Sequence, residues 1–437
     1  MGFAEFSPQI IGIIVLAIFW ILLFQGVPIG VGFAIAGFVG IVWSRGLGAA
    51  LSILGSVPYT WASSPMLIPM PLFIFMGFLA FHSRISVELY DASFKWLSRL
   101  PGGIAIATAV ANAAFGAICG SAQAAAAAMS PIAFPEMEKH NYDRRLSTGS
   151  LAAGGTLSFL IPPSIPFILY GVLAETSIGK LFIAGIIPGL ILCGTFSITI
   201  YAMCKRNPEL GPVGPTFTWR EKFASLKGVW GMIALFVLVM GGLYLGIFAP
   251  SEAGAIGAFG AFVLGIATRR LTFPGLVAAG KESARIVCFV MTIIIGAQIF
   301  NSYLGVSGLT TLVEDWIHAL PVSRYVILAF LIVIFVLIGM FLDIAAILLL
   351  TIPTIAPVMA HLGFDLVWLG VLLVLLQCLG FISPPIGLNA FIIQGVTKVP
   401  AETVFRGSTP FMVGMIICIV LIIIFPQICL FLPSLMK

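Results

Sequence analysis

Residues 158–164 read Ser-Phe-Leu-Ile-Pro-Pro-Ser, and residues 380–386 read Gly-Phe-Ile-Ser-Pro-Pro-Ile. Each stretch interrupts a long apolar run with two consecutive prolines. Proline has no N–H, and its ring collides with the carbonyl one turn back. A Pro-Pro pair therefore ends a helix in mid-span and frees carbonyl oxygens upstream. The two stretches stand 222 positions apart, and the same interval recurs outward from them. It sets Pro28 opposite Pro250, Gly32 opposite Gly254, Pro131 opposite Pro353, Pro135 opposite Pro357, Asp143 opposite Asp365, Phe159 opposite Phe381 and Pro188 opposite Pro410. The interval aligns helix breakers rather than interchangeable Leu and Ile. Matched breaks in the two halves of an apolar chain are the best sequence pointer to a transporter's binding site.

Composition sets the solvent. Of 437 residues 60% are hydrophobic and 8% charged, and the mean hydropathy is +1.17. A water-exposed surface needs about a quarter of its residues charged. Runs such as 10–24, 230–247 and 411–425 are apolar throughout, and a bilayer core of ~30 Å takes about 20 helical residues to cross. Alternating strand patterns are absent, so helices satisfy the backbone. The fold class is an all-α polytopic membrane protein. The seven cysteines lie within or at the ends of apolar segments without paired spacing. They read as small buried hydrophobes rather than metal ligands or disulfides. The N-terminus has no basic region before its apolar run and no small-residue cleavage site, so the first helix is expected to be retained.

Ten crossings are expected near 8–25, 27–44, 65–83, 147–172, 178–203, 229–247, 251–268, 286–304, 366–395 and 408–432. Of these, 147–172 and 366–395 are broken helices. Two further apolar stretches, 104–138 and 326–360, each divide into two arms, with Gly120-Ser121 or Leu342-Asp343 between them. These junctions lack the charge and turn chemistry of a loop in water. They read as re-entrant hairpins whose tips stop inside the membrane, although arms of this length could also serve as paired spans. Residues 84–100 and 308–321, ahead of the hairpins, are more amphipathic and read as interfacial arm helices. In the first, Arg84/Glu88 and Asp91/Lys95 are spaced for i,i+4 pairs, and Leu89, Trp96, Leu97 and Leu100 supply an apolar side.

If the N-terminus lies outside, 17 of the 21 Lys and Arg residues fall in inner loops, leaving Arg45, Lys180, Arg324 and Lys437 outside. That asymmetry follows the positive-inside rule and puts both termini on the outer face. The first repeat, 1–204, then contains an odd number of crossings. The second, 229–437, starts from the opposite side, so the repeats are inverted. Residues 205–228, with Pro208, Pro212, Pro215 and five basic residues, read as the cytoplasmic linker.

Four places bring polar groups to the breaks: Gly116–Ala124, Gly339–Ala345, Ser158–Ser164 and Gly380–Asn389. Ser121 can cap the second arm of its hairpin, and Gln123 lies in that arm's first turn. Asp343 stands opposite Ser121 at the common interval. Freed carbonyls, hydroxyls, amide oxygens and a carboxylate are hard ligands suited to Na⁺. The helices restarting after each break aim positive N-terminal ends at the same region, favouring an anion there. A lone Ser beside Gly also serves close packing, and a Pro-Pro pair also serves as a kink. A carboxylate at membrane depth is costly and usually functional, which singles out Asp343. Asn112, Gln298, Asn301 and Gln394 suit helix–helix hydrogen bonds and a transport path equally. Glu175 and Glu252 fall near the outer interface.

Gly-Ser-Ala-Gln-Ala (120–124), Ile-Pro-Pro-Ser (161–164), Gly-Met-Phe-Leu-Asp (339–343) and Ile-Ser-Pro-Pro-Ile-Gly-Leu-Asn (382–389) together resemble the large membrane (DctM-like) subunit of tripartite ATP-independent periplasmic (TRAP) transporters. The resemblance covers essentially the whole chain. It implies uptake of a small organic anion (a C4-dicarboxylate, another carboxylate such as sialate, or a sulfonate) with Na⁺ across the bacterial inner membrane. It also implies a periplasmic binding protein that delivers the substrate, and a separate small four-helix membrane subunit. The hairpins and broken helices would form a mobile domain that moves elevator-fashion against a scaffold. Carried onto this chain, the expected substrate contacts are Ser121, Gln123, Ser164 and Asn389. The expected Na⁺ ligands are Gly120, Ser121, Ser158, Pro162, Gly339, Asp343, Ser383 and Pro384. A one-component sodium-coupled anion transporter is the alternative. An intramembrane enzyme would need paired acid/base or metal-ligand residues inside the spans, and an ATPase a Gly-rich phosphate loop; the sequence has neither. Channels need no paired breaks in inverted halves.

Overall fold

A computed structural model describes residues 8–308 and 322–436. The expected second arm helix, 308–321, therefore lies almost wholly outside the described residues. The described helices are α1 (Pro8–Phe24), α2 (Ile29–Arg45), α3 (Leu47–Ala62), α4 (Pro69–His82), α5 (Ile85–Leu97), α6 (Gly103–Cys119), α7 (Ala122–Lys139), α8 (Arg144–Leu160), α9 (Ile165–Leu173), α10 (Ile178–Arg206), α11 (Trp219–Tyr244), α12 (Pro250–Ala267), α13 (Phe273–Ser307), α14 (Arg324–Gly339), α15 (Ile344–His361), α16 (Leu366–Ile382), α17 (Leu388–Thr397), α18 (Ala401–Ile424) and α19 (Gln427–Ser434).

The Pro-Pro pairs act where the sequence places them, whereas Pro131, Pro135, Pro188, Pro353, Pro357 and Pro410, expected as breakers too, lie inside continuous helices. The helical stretch 144–173 is cut at the Pro162-Pro163 pair, and α8 and α9 meet at a bend of 42°. The stretch 366–397 is cut at Pro384-Pro385. The 104–138 and 326–360 stretches each split into two helices of 16 to 18 residues. The two halves differ at one instructive place. Pro65, Pro69 and Pro71 separate α3 from α4, whereas the positions one interval on are Val287, Met291 and Ile293. With no proline to stop it, α13 runs unbroken for 35 residues.

Three expectations are corrected. Seven helices among the described residues are long and apolar enough to cross a membrane, and the bent pair α8–α9 makes up to eight, against ten expected. The seven include α15, expected as a hairpin arm rather than a crossing. They leave out the two short helices of the broken 366–395 stretch and also α1 and α2, which have 17 residues each, about 26 Å at 1.5 Å per residue, slightly short of a ~30 Å core. The expected span 408–432 is two helices, because Pro426 forces Phe425 out of helical geometry (φ −122°, ψ 76°) and α19 starts anew. The linker is shorter than 205–228, since α11 begins at Trp219 behind a Thr218/Glu221 capping box. Helix α3 was not anticipated at all; Gly48, Gly55 and Pro58 hide it among weak helix formers.

The ion pairs of the first arm helix also differ in part. Asp91 and Lys95 pair at 2.7 Å as spaced, but Glu88 reaches across to Arg270. Arg84 takes a left-handed conformation (φ 59°) ahead of α5 and so stands outside the helix that carries Glu88. Leu100 is exposed rather than part of the apolar side. Among the cysteines, Cys288 is exposed and Cys193 half-buried; the other five are buried, and all seven are free.

The centre of the molecule is formed by α8 and α16, whose residues are buried from Leu146 to Leu160 and from Val367 to Ile382. They pack against each other. Here residues separated by the common interval touch: Phe159 and Phe381 stack edge-to-face at 5.0 Å, and the Cys378 thiol donates to the Thr156 carbonyl at 3.5 Å across 222 positions. Outside this centre, α9 leans on α15 while α17 leans on α7, and α2 pairs with α13 while α12 pairs with α4. The α2–α13 contact is backbone-close: a Cβ on Gly296 would sit 1.8 Å from the Gly30 carbonyl oxygen. The segment between α10 and α11 is strapped to the loops beside it. Gly102 and Asp143 donate N–H bonds to Gly211 and Leu210, and Tyr142 donates its hydroxyl to the Pro212 carbonyl at 2.9 Å. Burial pushes the Tyr142 phenol up to about 12, so it remains a donor throughout the physiological pH range.

Candidate functional site

The turn between α6 and α7 starts with Gly120, whose φ of +59° lets the chain reverse in left-handed geometry and whose N–H closes on the Gly116 carbonyl at 2.9 Å. No side chain fits there, since a Cβ would stand 2.6 Å from the Pro163 carbonyl oxygen. Ser121 is extended and caps α7, its Oγ accepting the Ala124 N–H at 3.4 Å. Its hydroxyl also donates to Gln123 Oε1 at 3.0 Å. The Gln123 amide nitrogen then donates to Asp343 Oδ2 at 2.8 Å, across 220 positions of sequence. Asp343 caps α15 through Oδ1, which accepts the Ala345 N–H at 3.0 Å. One hydrogen-bonded chain, Ser121–Gln123–Asp343, thus connects the turns of the two helix pairs. Each cap leaves further N–H groups of a first helical turn oriented toward the same space.

Behind these turns lie the breaks. Ile165 N–H donates to the Gly120 carbonyl at 3.3 Å, tying the start of α9 to the first turn. Pro162 and Pro163 remove the donors that the Ser158 and Phe159 carbonyls would have met in a continuing helix. The Ser164 hydroxyl takes over the Phe159 oxygen at 2.5 Å. At the second break the Ser383 hydroxyl donates to the Leu379 carbonyl at 2.6 Å. The two breaks are unequally covered: Pro162 and Pro163 are buried, Pro384 and Pro385 exposed. The second turn is held from α16, where the Gln377 amide nitrogen donates to the Leu342 carbonyl at 3.1 Å and to that of Gly339 at 3.5 Å.

Gly120, Ser121, Gln123 and Asp343 all line one cavity of about 520 Å³. Its opposite wall is Ile74, Phe78 and Phe81 of α4 and Glu282, Ile286 and Phe289 of α13. The Glu282 carboxylate stands 3.1 Å from His82 Nε2. Among the described residues that line the cavity, the charged ones are Asp343 and Glu282, both acidic. The other sequence-derived candidates are not in this wall. Ser158 is buried against Gly116. Asn389 is buried beside Gly155 and donates to the Ala152 carbonyl at 3.0 Å. Ser164, Pro162, Gly339, Ser383 and Pro384 sit at the turns and breaks around it.

Several buried oxygens near the breaks have no hydrogen-bond partner among the described residues: Ser158 Oγ, Asn112 Oδ1, Gln377 Oε1 and Asn389 Oδ1. Buried polar atoms are seldom left unpaired. Hard, neutral oxygens of this kind, beside carbonyls that proline has released, suit a small cation that sheds its water. Gln377 and Glu282 were missed by the sequence reading. Gln377 could have been noticed as an amide inside an otherwise apolar run. Glu282 was hidden between Lys281 and Arg285, where only the excess of basic charge was counted.

Comparison with known proteins adds the following. The pattern of the family described as "Tripartite ATP-independent periplasmic transporter, DctM component" matches residues 16–428. The chain is 32% identical over 405 residues to the C4-dicarboxylate TRAP transporter large permease protein DctM of Pseudomonas aeruginosa, covering 90% of this chain and 94% of that one. It is 30% identical over 418 residues to the sialic acid TRAP transporter large permease protein SiaM of Vibrio cholerae, covering 95% and 96%. Among solved structures, the YdaH transporter of Alcanivorax borkumensis aligns over 88% of this chain and 90% of its own with a TM-score of 0.65 at 14% identity, a likeness of fold.

Proposed function

Since this chain belongs to the DctM family of TRAP transporters, and is therefore a multi-pass membrane permease and not an enzyme, we propose that it couples Na⁺ entry to the uptake of a small organic anion. The anion would be a carboxylate of the kind its relatives are named for, or a sulfonate. A TRAP system works with a periplasmic binding protein and a small permease, and members of the family are typically cation-coupled. In the present proposal the small permease is a separate four-helix chain, and both termini of the large subunit face the periplasm, as the 17-to-4 distribution of basic residues favours.

The observation that carries the proposal is the Gln123–Asp343 hydrogen bond at 2.8 Å within the shared cavity. It brings the turns of the two helix pairs, read as re-entrant hairpins, to one place. An arrangement of two inverted repeats about a midplane axis is supported by the central contacts. A residue meets its own repeat mate only close to a two-fold axis, and Phe159/Phe381 and Thr156/Cys378 are such mates. The cavity then lies between a mobile part (α6–α10 and α14–α19) and a scaffold (α1–α5 and α11–α13), the division an elevator movement requires.

Coupling follows from charge. With acidic side chains alone facing the cavity, an anion about 5 Å from Asp343 would be repelled by about 3 kcal/mol at an effective dielectric of about 20. A cation bound at the turns cancels that term, and the N-terminal ends of α7, α9 and α15 can then favour the anion. Substrate binding therefore waits on the cation. The proposed Na⁺ ligands come from Gly120, Ser121, Ser158, Pro162, Gly339, Asp343, Ser383 and Pro384. Ser121, Gln123, Ser164 and Asn389 are proposed for the substrate.

The test is uptake by liposomes that hold both membrane subunits, supplied with the binding protein, with and without an inward Na⁺ gradient. Gradient-driven accumulation of the receptor's ligand is expected. Equal uptake without Na⁺ would overturn the coupling, and uptake without the receptor would favour the one-component alternative.

A further inference from the structure

Pro353 interrupts the hydrogen bonding of α15 without ending the helix. It has no N–H, so the Leu349 carbonyl, four residues earlier, loses its helical donor. A side chain from another part of the molecule replaces it: Asn301 Nδ2, on α13, donates to the Leu349 oxygen at 3.2 Å. The other half lacks this device. Pro131 frees the Ala127 carbonyl in the same way, but the position that matches Asn301 at the common interval is Leu79, which has no donor. Ala127 is exposed and lines the cavity. One helix pair is therefore tied to α13 through the oxygen its proline releases, while the matching residue of the other pair lines the cavity.

We propose that Asn301 is a positioning residue that latches α15 to α13 in this arrangement of the transporter, and that the bond must break when the helix pairs travel. The inference rests on the proposed movement of the hairpins against a scaffold that includes α13. Two features suit a latch better than fixed packing. The acceptor is an oxygen with no helical donor, so its bond to Asn301 can be exchanged for water without disrupting the helix. The donor keeps its own Oδ1 buried without a partner, which lowers the cost of leaving the present position.

The experiment is single-molecule energy transfer on the complex of both membrane subunits. Dyes are placed at Thr268→Cys, at the end of α12, and Lys139→Cys, at the end of α7, both exposed positions. The background carries Cys288→Ser and Cys193→Ala, which removes the cysteines that are not buried. Two distances are expected in the wild type, with a ratio that responds to Na⁺. Asn301→Val should shift that ratio away from the present arrangement about fivefold, the effect of one net hydrogen bond. Pro353→Ala returns a helical N–H to the Leu349 carbonyl, making the Asn301 bond redundant. It should give a similar shift, and adding Asn301→Val to it should change nothing more. An unchanged ratio in Asn301→Val, or additive effects in the double variant, would overturn the latch. Should Asn301→Val fail to assemble, an unchanged ratio in Pro353→Ala would overturn it alone. A single distance in the wild type under all Na⁺ conditions would instead remove the moving-hairpin proposal on which the latch depends.

Discussion

Asp343 has two functions that its chemistry keeps separable. As a cap it satisfies the Ala345 N–H, and as an acceptor it holds the Gln123 amide from the other half of the chain. Asparagine retains the capping oxygen but removes the negative charge. Asp343→Asn should therefore lower Na⁺-dependent uptake at least tenfold while expression and pairing with the small subunit stay near wild type. Unchanged Na⁺ dependence in liposomes would remove Asp343 from the cation site. Gly120 differs, because its requirement is geometric. A methyl group there meets the Pro163 carbonyl at 2.6 Å in a left-handed conformation. Gly120→Ala should lower the melting temperature as well as uptake, by a strain of about 1–3 kcal/mol. Loss of uptake with no thermal penalty would mean that the turn relaxes freely.

At the scale of elements, the breaks matter more than the spans. Replacing Pro162 and Pro163 by alanine restores two N–H donors and lets α8 run on toward α9, consuming the carbonyls that the break had released. The expected result is a melting temperature at or above that of the wild type with uptake reduced at least tenfold; normal uptake would show that the break has no part in transport. A second element-level prediction concerns α4 and α6. A Cβ at Gly77 would come within 2.6 Å of the Cys119 Cα, so Gly77→Val should separate two helices that border the cavity. Its effect should fall mainly on the maximal rate, since Gly77 supplies no polar group to a ligand. A selective rise in KM would contradict this. The same scale shows where sequence patterns fail. The first breaks, caps and arms were legible because proline, glycine and aspartate act through local backbone chemistry. Helix α3 was not, because Gly48, Gly55 and Pro58 look like a loop until neighbouring helices support them.

For the whole molecule, the distribution of basic residues predicts an orientation that labelling can test. In right-side-out cells, an impermeant thiol reagent should label Lys180→Cys from outside, whereas Lys139→Cys should react only after the membrane is opened. The reverse result would invert the topology. The two halves are alike in plan but unequal in detail. One Pro-Pro pair is buried and the other exposed, α13 is continuous where α3 and α4 are separate, and α13 alone carries the asparagine that holds a released carbonyl. Such inequality in coverage is what the proposed elevator movement predicts for one end of its stroke.

The sequence by itself determined that this chain lives in a bilayer, that two of its helical stretches break at paired prolines, and that these breaks come as a matched set. Those features depend on composition and on backbone chemistry acting over a few residues. Only the tertiary structure decided that Gln123 would meet Asp343, that Gln377 would hold the second turn, and that Glu282 would face the cavity. In a chain where nearly every face of every helix is apolar, hydrophobic periodicity does not say which faces meet. Contacts between residues some 220 positions apart arise only when all the helices are packed together.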